Sequence, residues 1–169
     1  EWAMYNFWMQ QYQETRLSPD EEMVVLNGIT ITNEQAYTLQ PGEWINDAVL
    51  HFVFRSMEST LGLTDVSAVF FPSFFFSKLL DEDLQRPKYD FKSVQRWNKR
   101  IFKGKSVADV KTIVFLQNES NAHWKSFAIF TDLKIIQVFD SLGTGVEYLP
   151  CLYRWFNDSM AAEGKTLIE

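Results

Sequence analysis

Apolar positions along the chain fall into helical and strand-like patterns. Near the start, "SPDEEMVVLNG" (18–28) has Ser18 in an N-cap position, Pro19 at the first helical position and Glu21 three residues after the cap. With Asn27-Gly28 as a stop, these signals predict a short capped helix. "ITIT" (29–32) predicts a brief β segment, and Thr32 with Gln35 predicts the capping box of a second helix ending before "QPG" at 40–42. From Asn46 the residues Ala48, Val49, Leu50, Phe52, Val53 and Phe54 are apolar, while Asp47, His51 and Arg55 recur at spacings of four. That pattern predicts a helix buried on most sides, with one narrow polar stripe. "SVQRWNKRIFKGK" (93–105) places Val94, Trp97 and Ile101 at i, i+3 and i+7, with Arg96, Lys99, Arg100 and Lys103 largely elsewhere. This predicts an amphipathic helix with a basic, solvated outer face. "DEDLQRPKYD" (81–90) is the most loop-like interruption.

The strand signals come later. "TIVFLQ" (112–117) predicts a buried strand, and "HWKSFAIF" and "LKIIQVFD" predict two more, joined through Thr131-Asp132. A two-residue loop there puts Phe130 opposite Leu133 and, stepping outward, His123 opposite Asp140. Opposed residues share a sheet face with Cβ atoms about 4.5–5.5 Å apart. A four-residue loop is expected to give the same register and a three-residue loop to break it.

This pairing is the candidate chemistry of the chain. A carboxylate behind a histidine is the orienting half of a nucleophile–base–orienter triad, because it fixes the tautomer and stabilises the imidazolium. A surface cross-strand ion pair has the same spacing, and both readings stand. Strand alternation sends Ser126 and Ser141 to the opposite face, so neither is a good nucleophile. His51, between Asp47 and Arg55 at one-turn spacing, reads as a surface residue with helical neighbours.

Composition narrows the function. The length suits one domain with a core, residues 1–169, and 15 Phe, 6 Trp and 6 Tyr suit both packing and gripping an extended peptide. A net charge of -6 argues against a nucleic-acid binder and for a protein or peptide partner. A single cysteine, Cys151, permits no internal disulfide and suits a reducing compartment, nucleus or cytoplasm. The longest apolar run, "AVFFPSFFF", is too short to span a membrane, and the N-terminus lacks the basic region of a signal peptide. Because the sequence starts at Glu1, it is expected to be a piece of something longer.

Five motifs in order, "ITITNEQAYTLQPGEWINDAVLHFVF", "FFFSKL", "VQRW", "AHW" and "VFDSLG", resemble the SUMO-specific, ubiquitin-like-modifier cysteine proteases, the sentrin-specific or adenain-like group. The likeness runs from about Leu17 to Phe156. It implies an α+β, papain/adenain-like cysteine protease fold with a central mixed sheet flanked by helices. It implies His123 as catalytic base and Asp140 as its orienting acid. Trp44 and Trp124 match the tryptophans that roof the tunnel for the modifier's Gly-Gly tail. Asp47, Phe74, Phe75, Phe76 and Arg96 match the modifier-docking surface. No metal or cofactor is implied, the partners are SUMO-like or other ubiquitin-like modifiers and their conjugates, and a monomer is expected.

The tunnel agrees with elementary chemistry. A diglycine tail offers no side chain to grip, so a slot too narrow for a Cβ must select it, and flat indoles build such a wall. Without the resemblance, core packing is the preferred reading of both tryptophans.

One departure stands out. The family's nucleophile is a cysteine in an Asp-Cys-Gly motif, several tens of residues beyond the Asp and a few after an oxyanion-hole Gln; the 169 residues contain neither. Cys151, in "YLPCLYRWF" with apolar neighbours at helical spacing, reads as a packed helix residue. Gln117, inside a strand and ahead of the base, is a poor substitute for the missing Gln. A sequence stopping before the nucleophile segment, an inactive modifier-binding protein and a scaffold shared with another hydrolase all fit, and the first is the expectation.

Overall fold

The computed structural model describes residues 18–26, 28–60, 62, 67–81 and 88–165. The chain divides into two compact units, residues 1–56 and 57–169.

The first unit opens on a correction. Instead of the helix predicted from Ser18, residues Glu22–Leu26 form strand β1, antiparallel to β2 (Ile29–Thr32). Leu26 pairs with Ile29, which leaves two residues for the hairpin connection. Gly28 has φ +78°, a left-handed conformation glycine adopts at little cost, while Asn27 lies outside the described residues. The Ser-Pro signal belongs to a turn in which Glu21 N donates to Ser18 O at 3.0 Å. Local capping cues lost to the β-branched Val24 and Val25 facing a strand partner. Past the hairpin the predicted elements appear in place, but the helix from Asn46 is not buried on most sides: Val49 is buried while Val53 is 43% exposed. Thr32 caps α1 (Asn33–Tyr37) in a capping box with Gln35. Asn46 caps α2 (Asp47–Thr60), its side chain accepting from Val49 N at 2.9 Å. The Asn46 amide also donates to Gln35 O at 3.3 Å, tying α2's start to α1.

The second unit is built on a four-stranded mixed sheet ordered β3 (Ala68–Phe71), β4 (Thr112–Glu119), β5 (His123–Phe130) and β6 (Ile135–Phe139). β3 runs parallel to β4 and the other pairs are antiparallel. The crossover from β3 to β4 carries α3 (Phe75–Leu79), α4 (Phe91–Phe102) and a 3-10 turn (Val107–Asp109). A second 3-10 turn (Val146–Tyr148) leads into α5 (Leu149–Ala162). Of the predicted loop at 81–90, residues 82–87 lie outside the described residues.

Alternation decides which side of the sheet is core. Phe71, Ile113, Phe115, Phe127 and Ile129 share one face and join Phe75, Phe76, Leu79, Val94, Phe102, Leu152 and Trp155 from the helices in one buried cluster. Trp155 is at its centre, its ring 5.1 Å from Phe115 and 5.2 Å from Phe71, both edge-on. No helix among the described residues is long and apolar enough to cross a membrane.

Candidate active site

The core face continues outward along β4, β5 and β6 and changes character at the sheet's end. In β5 the residues sharing the face of Phe127 and Ile129 are Lys125 and His123. In β4, Gln117 and Glu119 continue from Phe115, and Asp140 follows Ile136 and Val138 just past β6. Apolar packing thus gives way, on one continuous surface, to four ionisable groups and an amide.

The register differs from the two-residue-loop prediction. Phe130 pairs with Ile135, so the β5–β6 loop is four residues, Thr131 to Lys134. Lys134 takes φ +56°, Lys134 N donates to Thr131 O, and the Thr131 hydroxyl reaches Val110 O at 2.6 Å. The four-residue loop does not keep the two-residue register; it offsets the pairing by two residues. Ser126 faces Phe139, and Asp140 follows it diagonally to His123 rather than directly opposite. A two-residue shift preserves the face, and diagonal neighbours remain within reach of long side chains. His123 Nε2 lies 2.6 Å from Asp140 Oδ1.

Asp140 is held by more than the histidine. Leu142 N donates to Oδ1 at 2.8 Å, Thr144 N to Oδ2 at 2.9 Å and the Thr144 hydroxyl to Oδ2 at 2.7 Å. Burial by itself would raise its pKa, since the side chain is 2% exposed. The hydrogen bonds from Thr144, His123 and Leu142 outweigh it and hold the carboxyl well below the ordinary carboxylate range. An ionised carboxylate only accepts, so Nε2 of His123 carries the proton and the Nδ1 lone pair is left as the base.

Lys125 lies beneath this pair with its side chain fully buried. Its Nζ is 2.9 Å from Glu119 Oε2, 3.8 Å from Glu147 Oε1 and 4.0 Å from Asp140 Oδ2. Burial alone would lower its pKa, and these carboxylates together raise it. Sequence reasoning missed Lys125, Glu119, Glu147 and Thr144. The signal for Lys125 was a charged residue on the apolar face between His123 and Phe127. The signal for Thr144 was the turn-forming "DSLGT", whose backbone N–H groups fold back onto Asp140.

The other predicted site residues are spread over both units. Trp44, 63% exposed, and Asp47, at the first turn of α2, belong to the first unit. In the second, Trp124 is half-buried and pairs with Asn118 on the sheet face opposite His123. Arg96 is exposed on α4. Phe74 is 44% exposed and stacks edge-on against Trp97 at 5.1 Å. Phe75 and Phe76 are a correction: they are 0% and 1% exposed, part of the core cluster, and offer a docking partner no surface. The first helical turn of α3 points both rings inward onto Phe115 and leaves only Phe74 outside. His51 is half-buried rather than a surface residue; burial lowers its pKa, opposed by Asp47 and aided by Arg55. Cys151 is half-buried on α5, its Sγ donating to Tyr148 O at 3.0 Å, and burial pushes the thiol up to about 11.

Comparison with known proteins gives the family of the chain and of its fold. The sequence pattern of the "Ulp1 protease family, C-terminal catalytic domain" matches residues 43–158, more than half of the chain. The chain belongs to the Ulp1 protease family. Among Ulp1-family relatives, Ubiquitin-like-specific protease 1 of Saccharomyces cerevisiae is 30% identical over 119 residues, 70% of this chain and 17% of that protein. The Putative ubiquitin-like-specific protease 1B of Arabidopsis thaliana is 27% identical over 123 residues, 71% of this chain and 35% of that protein. The chain therefore spans about a sixth to a third of those relatives' length. The solved complex of the C-terminal Ulp1 protease domain with Smt3, the yeast orthologue of SUMO, matches with TM-score 0.70 and 25% identity, covering 90% of this chain and 66% of that one. A structure of the SUMO protease Ulp1 with its catalytic cysteine oxidised to a sulfinic acid matches with TM-score 0.72 and 24% identity, covering 96% and 70%. The fold is that of the Ulp1 protease domain, mixed helices and sheet.

Proposed function

We propose that this chain is the base-bearing part of a thiol protease that cleaves after the Gly-Gly of a SUMO-like modifier, in precursor maturation or in release from target lysines, in the nucleus or cytoplasm. The observation that carries the reading is the 2.6 Å contact of His123 Nε2 with an ionised, multiply hydrogen-bonded Asp140, in a chain of the Ulp1 protease family. His123 Nδ1 takes the proton of a cysteine thiol, and the thiolate attacks the glycine carbonyl. The imidazolium then protonates the leaving amine, a thioester forms, and water activated by the same Nδ1 releases the modifier's carboxylate. Asp140 keeps the proton on Nε2 throughout. Trp124 walls the diglycine tunnel and Phe74 and Arg96 contribute to modifier docking, and in the first unit Trp44 and Asp47 are assigned to modifier binding.

Cys151 does not suit the nucleophile's role. A thiol raised to about 11, hydrogen-bonded to the turn that leads into its helix, holds little thiolate at neutral pH. The nucleophile in this reading is a cysteine outside these 169 residues. That property of Cys151 also favours a second reading, a modifier-binding module without turnover. The test is reaction of the full-length protein with a SUMO-like modifier bearing a C-terminal electrophile. A covalent adduct lost in His123→Ala supports the protease; a reversible complex with no adduct selects the binding module; no complex at all ends both.

A further inference from the structure

Position 125 is where the sheet's alternation calls for an apolar residue, one step out from Phe127 on the core face. The stem of Lys125 is enclosed accordingly. A Cβ at Gly145 would come within 3.3 Å of Lys125 Cδ and of Val138 Cγ1 and within 3.5 Å of Phe127, and the left-handed Gly145 (φ +93°) lets the chain close over the stem. Tyr148 covers the head, its ring centroid 5.9 Å from Nζ. A buried ammonium is costly unless carboxylates meet it, and here three do, from three elements: Glu119 on β4, Asp140 after β6 and Glu147 on the 3-10 turn. Glu119 and Glu147 have side chains 44% and 56% exposed and are hydrated without Lys125. Asp140, at 2%, depends on fixed partners.

We propose that Lys125 is a positioning residue for the His123–Asp140 pair: its buried ammonium offsets the repulsion of Glu119 and Glu147 on the Asp140 carboxylate, which its own turn aims at His123 Nε2. The inference rests on the reading of His123 and Asp140 as base and orienting acid. Glu119 is directly opposite His123 in the β4–β5 register, so without Lys125 two further carboxylates crowd one orienting carboxylate. A like charge at that range opposes the charge of the most buried member and raises its affinity for a proton.

The test is side-chain NMR on the full-length protein, following the Asp140 carboxyl carbon against pH. Lys125→Met keeps the apolar stem and removes the charge. The Asp140 midpoint is expected to rise by about one to two units. A folded Lys125→Met protein with an unmoved midpoint overturns the proposal and leaves Lys125 a packing residue. Should that variant fail to fold, Glu119→Gln decides: it releases the ammonium toward Asp140, so the midpoint must hold or fall, and a rise overturns the proposal. Neither reading needs turnover. A shifted midpoint beside a failed electrophile adduct strikes the protease reading alone, and a formed adduct beside an unmoved midpoint strikes Lys125 alone.

Discussion

His123 Nε2 and Asp140 Oδ1 lie 2.6 Å apart, although the β5–β6 register sets the two residues diagonally and Asp140 stands just beyond the last strand residue. The carboxylate is therefore aimed by its own turn rather than by the ladder: the N–H groups of Leu142 and Thr144 and the Thr144 hydroxyl fill its remaining lone pairs. A carboxylate so placed is an acceptor with little freedom to rotate, as orientation of a general base requires.

Asp140→Asn tests that orientation. The asparagine amide can present its NH2 to Nε2, which would move the imidazole proton to Nδ1 and remove the base while leaving the shape almost unchanged. Turnover by the full-length protein is expected to fall on the order of a thousandfold or more, with modifier affinity retained. Nitrogen NMR of His123 should show the tautomer exchanged; turnover near the wild-type rate would remove Asp140 from the mechanism.

His51 predicts a pH slope in stability. Its folded pKa lies below the ordinary value of 6.5 because burial opposes the charged ring, with Arg55 adding and Asp47 opposing. As pH falls below about 6.5, the unfolded chain binds a proton that the folded chain resists. Stability from this group is thus full above the unfolded pKa and is lost as pH drops toward the folded value. Denaturant midpoints of wild type between pH 7.5 and 5.5 should decline more steeply than those of His51→Gln, and equal slopes would show that His51 titrates as if unfolded.

The patterns legible in the sequence were those with a local cause. Thr32-x-x-Gln35 predicted its capping box because both partners lie within one turn. The alternation of "HWKSFAIF" predicted which residues share His123's face, so the contact with Asp140 survived an error of two in the register. What failed depended on partners distant in sequence. The helix signals at Ser18 were outweighed by pairing with "ITIT", and Asn27-Gly28, read as a helix stop, was also a hairpin signal. The run "AVFFPSFFF" has no period, so neither β3 nor the burial of Phe75 and Phe76 could be read from it. Lys125 lay hidden for a related reason: only the meeting of Glu119, Asp140 and Glu147 makes a buried ammonium tolerable there.

Trp155 separates packing from polarity at the core's centre. Its ring meets Phe71, Phe75, Phe102 and Phe115, while its indole Nε1 is buried with no hydrogen-bond partner among the described residues. Trp155→Ala should cost about 3–5 kcal/mol, the range for removing a large buried aromatic. Trp155→Phe also leaves a cavity but removes the unsatisfied donor, which offsets part of the loss. The phenylalanine variant should therefore retain clearly more stability in urea titration than the alanine variant. Equal losses would mean that the N–H is satisfied in solution.

Trp124 is the most exacting test of the tunnel. It is half-buried at the start of β5, next in sequence to the base yet on the opposite sheet face, so a wall built from it is anchored by the same strand that carries His123. If it walls a diglycine slot, Trp124→Ala leaves docking through Asp47, Phe74 and Arg96 largely intact and loosens alignment of the scissile bond. Misplacement by about 1 Å can cost on the order of a hundredfold in rate. Single-turnover cleavage by the full-length variant should accordingly fall by about that factor, while its affinity for the modifier changes little. A purely packing role predicts instead a stability loss of about 3–5 kcal/mol with activity tracking only the folded fraction. Melting and cleavage measured on one preparation separate the two outcomes, and a destabilised Trp124→Ala protein whose folded fraction cleaves at the wild-type rate would refute the tunnel assignment.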